Sequence, residues 1–166
     1  MFKRTLVIIL AIVVFAVFPC GCAKEEPSEY EFTCTVTVEC LSIFDHMDEL
    51  DPDKLEVLPE NGYIIERTEV GFNEGESVYD VLRRITRERG INMEASYTPV
   101  YDSSYIEGIN NIYEFDCGPM SGWTYSVNGT YPQYGCSGYK LQDGDDIIWH
   151  YTCEYMTELD WSDTAD

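Results

Sequence analysis

Residues Gly122–Tyr151 read GWTYSVNGTYPQYGCSGYKLQDGDDIIWHY, and this stretch decides the fold. Within it, apolar and polar residues alternate over 123–127, which is the period-two pattern of a half-buried strand. Asn128 and Gly129 follow, and this pair tolerates the positive φ angles of a tight turn. We therefore predict that the chain turns back here and that the aromatic residues 131–135 form the return segment of a hairpin.

The final strand follows a second turn signal. Asp143-Gly144-Asp145 is typical of a tight turn. The following residues place Ile147, Trp149, Tyr151 and Cys153 on one face and Ile148, His150 and Thr152 on the other. Strands that are buried on both faces lie in the middle of a sheet. We therefore predict that this last strand is central in its sheet and covered on both sides.

One segment upstream has the pattern of a helix. Ser77 is the predicted N-cap, Asp80 completes a capping box with it, and Gly90 is the predicted end. The apolar stripe consists of Val78, Val81, Leu82 and Ile85. The opposite side carries Arg83, Arg84, Arg87 and Arg89. These cations either offset the helix dipole or form a docking site for an anionic partner.

The remaining elements are extended. Alternation predicts strands at 32–42, 63–72, 91–101 and 105–115. We expect residues 63–72 to form two short pieces, residues 102–104 to form a turn, and the acidic stretch 45–62 to be a long connection with one helical turn. This order of elements predicts the α+β class, as a β-grasp-like mixed sheet with one main helix.

The N-terminus has the zones of a secretory signal. Lys3 and Arg4 precede an apolar run from Leu6 to Phe18, which is too short to cross a bilayer comfortably. The following Cys20-Gly21-Cys22 resembles the lipobox of bacterial lipoproteins, which would place a lipid on Cys22. A conventional signal, cleaved or not, would also export the chain.

We predict four parts in the chain: a signal peptide at 1–22, a polar tether at 23–31, a folded domain at 32–154 and an acidic tail at 155–166. We expect the domain to lie outside the cytoplasm, anchored to the outer face of the bacterial cytoplasmic membrane. The whole chain carries 31 acidic and 10 basic residues, a net charge of −21. Nucleic acid is excluded as a partner, because such a surface repels a polyanion.

The sequence predicts no metal site. Asp143, Asp145 and Asp146 raise the alternative of a structural calcium ion, but they lack the spacing of an EF-hand loop. No cysteine pair has the spacing of a zinc knuckle, and His46 and His150 are isolated in the sequence. Repulsion between acidic surfaces at a crowded cell surface is the preferred interpretation of the charge.

Cysteines in an exported chain indicate disulfides. Beyond the predicted signal and lipidation site, Cys34, Cys40, Cys117, Cys136 and Cys153 remain. Cys34 and Cys40 share one strand and would lie roughly 20 Å apart, so they cannot pair with each other. We predict the pairs Cys40–Cys153 and Cys117–Cys136, which leaves Cys34 free or joined to another chain.

Aromatic residues accumulate in the second half of the chain. Such a density often means only a core of bulky side chains. Several of these residues, however, stand in or beside predicted turns, where side chains are exposed and can form a flat binding platform. The candidate ligand-binding residues are Tyr101, Tyr105, Trp123, Tyr131 and Tyr134. Met120 would add an adaptable apolar contact.

The motifs GESVYDVLRR, SYIEGINNIYEF, SGWTYSVNG and PQYGCSGYKLQDGDDIIWHYTC resemble the transcobalamin-like C-terminal domain family of bacterial surface proteins and lipoproteins. The resemblance covers Phe32–Glu154 and implies a β-grasp-like fold. In animal cobalamin carriers the related domain closes over the ligand from one side, while a helical barrel, which this sequence lacks, holds the other. The resemblance implies a ligand-facing surface around Gly122, Trp123 and the segment 131–138.

The sequence contains none of the common catalytic motifs. The sequence contains no G-x-S-x-G, no phosphate-binding loop and no helix with paired histidines. We predict that the chain is not an enzyme and carries no cofactor. Its predicted function is binding, either of a small flat ligand such as cobalamin or another corrinoid, or of another cell-surface protein without a small-molecule ligand.

Overall fold

The computed structural model describes residues 30–100 and 102–154. Within them lie seven strands and one α-helix: β1 (Phe32–Glu39), β2 (Tyr63–Phe72), α1 (Val78–Arg89), β3 (Met93–Thr98), β4 (Ser103–Ile109), β5 (Ile112–Tyr113), β6 (Gly122–Val127) and β7 (Asp146–Thr152). Two short 3-10 turns lie between β1 and β2: Leu41–Asp45 precedes the predicted long connection 45–62, and Pro52–Lys54 lies within it. The predicted α+β class with one main helix is confirmed.

Four strands form the main sheet in the order β2-β1-β7-β6. β1 and β7 run parallel, with Val36 opposite Ile147 and Val38 opposite Trp149, whereas the two outer pairs are antiparallel. The predicted central position of the last strand is therefore confirmed. The mixed order with a single helix is β-grasp-like.

The core lies between the inner face of this sheet and the apolar stripe of α1. Val38 and Trp149 are at most 2% exposed, and burial of such a side chain contributes about 1.5–3 kcal/mol. The helix buries the predicted residues Val78, Val81, Leu82 and Ile85. The outer face of β7 is covered less completely, because Ile148 and His150 keep part of their surface in solvent.

A second antiparallel sheet has the order β3-β4-β5. Asn110 and Asn111 both have positive φ, at 54° and 60°, and form the two-residue turn between β4 and β5. This turn interrupts the strand predicted for 105–115. β4 also contacts β6, so the second sheet lies beside the edge of the main sheet.

Several predicted boundaries were wrong. The strand predicted for 91–101 is limited to Met93–Thr98, and β4 begins at Ser103, inside the predicted turn 102–104. β1 ends at Glu39, because a 3-10 turn begins at Leu41. Residues 63–72 form one strand, whose register shifts take the place of the predicted break. The turn at Asn128-Gly129 exists, but after Thr130 the return segment leaves β6, and β7 pairs with β6 instead.

Helix α1 begins and ends as predicted. The Ser77 hydroxyl accepts from the Asp80 backbone N–H, and the Asp80 carboxylate accepts from the Ser77 backbone N–H, which is a capping box. Gly90 ends the helix with φ 68°, a left-handed conformation that favours glycine. Burial raises the pKa of Asp80, but its hydrogen bonds to Ser77 and the charges of Arg83 and Lys140 outweigh burial and hold this pKa below its ordinary value.

The lowered pKa of Asp80 makes the contribution of this carboxylate depend on pH. A folded-state pKa below the unfolded value stabilises the fold above the unfolded pKa, and this stability is lost as the pH falls through the folded pKa. We expect Asp80→Asn to lower the free energy of unfolding by about 0.3–1 kcal/mol at pH 7. Urea unfolding should show this deficit shrinking once the pH falls below the ordinary carboxyl pKa of 3.8.

The exposed loop residue Glu60 provides a matched control, because Glu60→Gln removes the same charge away from any helix end. That variant is expected to unfold like the wild type at both pH values. A deficit of Asp80→Asn that is the same at pH 7 and at low pH would contradict the assignment.

Candidate ligand-binding groove

A groove of about 930 Å³ lies between β4 and the edge strand β6. We call it the aromatic groove. Residues 103–106, 119–125 and 131–136 line it, together with Thr98, Phe115 and Trp149. None of these lining residues is Asp, Glu, Lys or Arg, although these four types make up 25% of the chain. The aromatic groove is therefore an uncharged surface on a strongly acidic protein.

The structure brings together four of the five candidate residues, because Tyr105, Trp123, Tyr131 and Tyr134 all line the aromatic groove. The fifth, Tyr101, lies outside the described residues. Tyr105 and Tyr134 are 42% and 57% exposed. Tyr131 also lines the groove, and its ring centroid lies 5.8 Å from that of His150 on the outer face of the sheet.

Trp123 differs from the expectation that it is exposed. Its side chain is only 6% exposed and packs edge-on against Tyr151 with 5.2 Å between ring centroids. Its Nε1–H donates to the carbonyl oxygen of Ile112 at 2.9 Å. Trp123 follows Gly122 at the start of β6 and faces the core, so it supports the floor of the groove.

Sequence reasoning missed the most exposed aromatic residue of the groove. Phe115 is 63% exposed and has φ 69°, a rare conformation for a bulky residue. Met120, which also lines the groove, is 53% exposed. The signal that could have found Phe115 is its place in a turn-rich segment with Gly118 and Pro119, where an apolar side chain has little chance of burial.

The loop that carries Tyr134 is held by hydrogen bonds to β6 and α1 and lies close to β4. The Tyr125 hydroxyl donates to the carbonyl oxygen of Tyr134 at 2.7 Å. The Tyr79 backbone N–H, in the first turn of α1, donates to the carbonyl oxygen of Cys136. Gly135 allows the loop to approach β4, since a Cβ there would lie 2.0 Å from Ser103 Oγ. The loop therefore presents Tyr134 in a defined position.

One buried donor at the groove has no partner. Trp149 lines the groove floor and is 2% exposed. Its Nε1 is the buried side-chain polar atom without a hydrogen-bond acceptor in the described part of the chain. Such an unpaired donor costs about 1–3 kcal/mol.

Three polar residues on the outer face of the main sheet form a chain. His150 Nδ1 lies 2.6 Å from Glu39 Oε1, and His150 Nε2 lies 3.0 Å from Ser126 Oγ. This order of groups is that of a nucleophile, a base and an orienting acid. Ser126, however, is only 2% exposed, so a substrate does not reach its hydroxyl. These hydrogen bonds connect β1, β7 and β6.

The acidic turn before β7 uses its carboxylates as acceptors. Asp145 accepts from the Asn128 side chain and from the Gln142 backbone N–H, both at 2.9 Å, and Asp143 accepts from the Thr33 backbone N–H at 3.0 Å. No group of three or more His, Cys, Asp or Glu side chains within 30–100 and 102–154 is placed to hold a metal ion. The same residues include no helix long and apolar enough to span a bilayer.

The arginines of α1 also contact the protein itself. Arg84 donates to the carbonyl oxygen of Gly71 at 2.8 Å and to Glu76 at 3.2 Å. Arg89 donates to the Thr68 hydroxyl at 3.1 Å. These contacts favour the structural interpretation of the basic face over a docking site.

The cysteines meet differently from the predicted pairs. Cys153 Sγ lies 2.8 Å from Cys117 Sγ. The Cys40 thiol donates to the carbonyl oxygen of Gly62, and the Cys136 thiol donates to that of Ser104. The predicted pairs Cys40–Cys153 and Cys117–Cys136 are therefore not the ones that the fold brings together, because the loop after β5 returns to the end of β7. The predicted lipidation site, Cys22, lies outside the described residues.

Comparisons with known proteins assign no function to the groove. Residues 75–153 match a family model described as a domain of unknown function, DUF4430. No curated protein matches the chain. A Ruminococcus gnavus ATCC 29149 protein, provisionally described as metal-binding, has a TM-score of 0.43 and 15% identity over 74% of this chain and 97% of its own. Haptocorrin in complex with Cbi has a TM-score of 0.45 and 13% identity over 73% of this chain and 25% of its own. Both similarities are too distant to assign a ligand or a metal.

Trp123 and Tyr134 are expected to differ in their effect on stability. Trp123→Ala removes a buried ring and its hydrogen bond, so it should lower the free energy of unfolding by about 3–5 kcal/mol. Tyr134→Ala removes a ring that is 57% exposed and should cost under about 1 kcal/mol. Urea unfolding followed by circular dichroism measures both. Equal losses for the two variants would show that Trp123 is not part of the core.

Proposed function

We propose that this chain is a binding protein that holds a neutral, flat and largely apolar small molecule in the aromatic groove. The observation that carries this proposal is the uncharged lining of the groove in a chain with a net charge of −21. Its volume of about 930 Å³ also suits a ligand, since sites for small molecules usually measure about 300–1,000 Å³.

The exposed rings define how such a ligand would bind. Phe115, Tyr105 and Tyr134 offer aromatic faces or edges to a planar molecule, and contacts of this kind are worth about 0.5–1.5 kcal/mol beyond simple burial. Gln133, which lines the groove, supplies a polar group for orientation. The ligand would therefore carry a few uncharged acceptors on an apolar frame.

A corrinoid is the first candidate for this ligand. A corrin ring is flat and carries uncharged amide groups at its rim, which matches aromatic walls with a few polar groups. The resemblance of the sequence to transcobalamin-like C-terminal domains supports the same choice. In this interpretation the aromatic groove covers one side of the ring.

Isothermal titration of the purified full-length chain with cobalamin and with other corrinoids tests the proposal. We expect saturable one-to-one binding at micromolar or tighter concentrations. Phe115→Ala and Tyr134→Ala should each weaken the Kd by about tenfold, because each removes an exposed ring contact.

Tyr97→Ala is the matched control, because Tyr97 is 61% exposed and does not line the groove. Its affinity should equal that of the wild type. Absence of saturable heat with a correctly folded protein would overturn the corrinoid proposal. Equal weakening by Tyr97→Ala would place the binding elsewhere than in the groove.

A second candidate function is the binding of another surface protein. β6 is the edge strand of the main sheet, and edge strands accept an extended peptide as an added strand. The exposed Phe115 and Met120 lie beside it. Crosslinking of a protein partner through this edge, together with no binding of corrinoids, would favour this function.

We also propose that the domain acts outside the cytoplasm and is held at the membrane by a lipid on Cys22. The charged, apolar and small-residue zones of residues 3–22 support this location. Metabolic labelling in a bacterial host with a radioactive fatty acid is expected to label the wild type and not Cys22→Ser. Equal labelling of both proteins would contradict Cys22 as the lipidation site.

A further inference from the structure

Two cysteines that are distant in the sequence meet in the interior. The Sγ atoms of Cys117 and Cys153 are 2.8 Å apart, although the two residues are 36 positions apart in the chain. Both residues are buried, at 0% and 2% exposure. A disulfide bond has a length of about 2.05 Å, so a shift of less than about 1 Å brings the sulfurs to bonding distance.

Fixed main-chain positions present both sulfurs. The Cys117 backbone N–H donates to Ser121 Oγ at 3.1 Å, and Cys117 forms a β-bridge with Leu50. The Cys153 backbone N–H donates to Ser42 Oγ at 3.1 Å, directly after β7. The proximity of the sulfurs thus follows from the fold.

We infer that Cys117 and Cys153 form the disulfide of this protein and that the bond fastens the rim of the aromatic groove to the end of β7. The rim is the segment 115–121, which contributes Phe115, Pro119 and Met120 to the groove. Phe115 keeps a positive φ while most of its side chain is exposed. Its own packing gives that backbone little support, so neighbouring contacts must hold it.

The chemistry requires a small disulfide as oxidant, for example oxidised glutathione. One protein thiolate attacks a sulfur of the oxidant, which forms a mixed disulfide and releases one thiol. The second protein thiolate attacks the mixed disulfide, which closes the Cys117–Cys153 bond and releases the second thiol. The protein loses two electrons, the oxidant gains them, and the two protons from the cysteines end on the released thiols.

The other cysteines of the described residues are poor competitors for this reaction. Burial is the main cause that raises the pKa of Cys34 and Cys40 to about 12 and that of Cys136 to about 11. Each of these thiols donates to a backbone carbonyl oxygen. The sulfurs of Cys117 and Cys153 contact each other, whereas these three thiols point at carbonyl oxygens. We therefore expect these three side chains to remain thiols, which accounts for an odd number of cysteines.

Peptide mapping tests the pairing. The full-length chain is refolded with reduced and oxidised glutathione, remaining thiols are alkylated, and trypsin and chymotrypsin cut the product. Lys140 separates Cys153 from the other two candidates, and the aromatic residues between Cys117 and Cys136 separate those two. A linked Cys117–Cys153 peptide is expected. Finding Cys40–Cys153 or Cys117–Cys136 in its place, or no link to Cys117, would overturn the inference.

A comparison of the oxidised and the reduced wild-type protein tests whether the bond holds the rim in place. Reduction should lower the Tm by about 10 °C, because the bond closes a long loop, and should speed amide hydrogen exchange in residues 115–121. Cys136→Ser is the matched control and should keep both responses to reductant. Cys117→Ser and Cys153→Ser should lose both. Unchanged exchange of 115–121 after reduction would refute the claim that the bond holds the rim.

Discussion

The parallel pairing of β1 with β7 is the constraint on which the rest of the structure depends. It joins the first and last strands of the described chain, with Val38 opposite Trp149 at its centre. Closing so long a loop has an entropic cost, which burial of the two inner faces against α1 offsets. Once β7 occupies the centre, β6 becomes an edge strand, and the space between that edge and β4 becomes the aromatic groove.

The position of the groove explains how an acidic chain keeps an uncharged surface. Carboxylates near the sheet accept hydrogen bonds from the protein, as Asp145 does at the turn before β7 and Glu39 does beside His150. The groove lies on the other side of the β6 edge and is lined by aromatic and other uncharged residues. Charged side chains thus lie in the acidic turn and on the solvent surface, and the groove remains available for apolar contacts.

The segment 115–121 belongs both to the aromatic groove and to the proposed cross-link. This segment forms one wall of the groove and also carries Cys117, whose sulfur reaches the end of β7. A ligand site on a short and exposed rim needs support, because each loose side chain lowers affinity through lost conformational entropy. The cross-link and the hydrogen bond from Cys117 to Ser121 supply that support from within the fold.

Local sequence determined the elements whose signals lie within a few residues of one another. The sequence correctly predicted the capping box of Ser77 and Asp80, the helix end at Gly90, the turn at Asn128-Gly129 and the central strand β7. These features are predictable because backbone conformation and periodicity are local properties. The grouping of Tyr105, Trp123, Tyr131 and Tyr134 around one site was also predicted from their places near turns.

Tertiary structure alone decided which aromatic side chains are buried, which are exposed, and which distant residues come into contact. Trp123 became part of the core because pairing with β7 turned it toward Tyr151, and Phe115 became the exposed ring of the rim. The meeting of Cys117 with Cys153 and the departure of residues 131–139 from β6 depend on contacts between segments far apart in the chain. No periodicity in the sequence encodes such contacts, since they arise only when the whole sheet has closed.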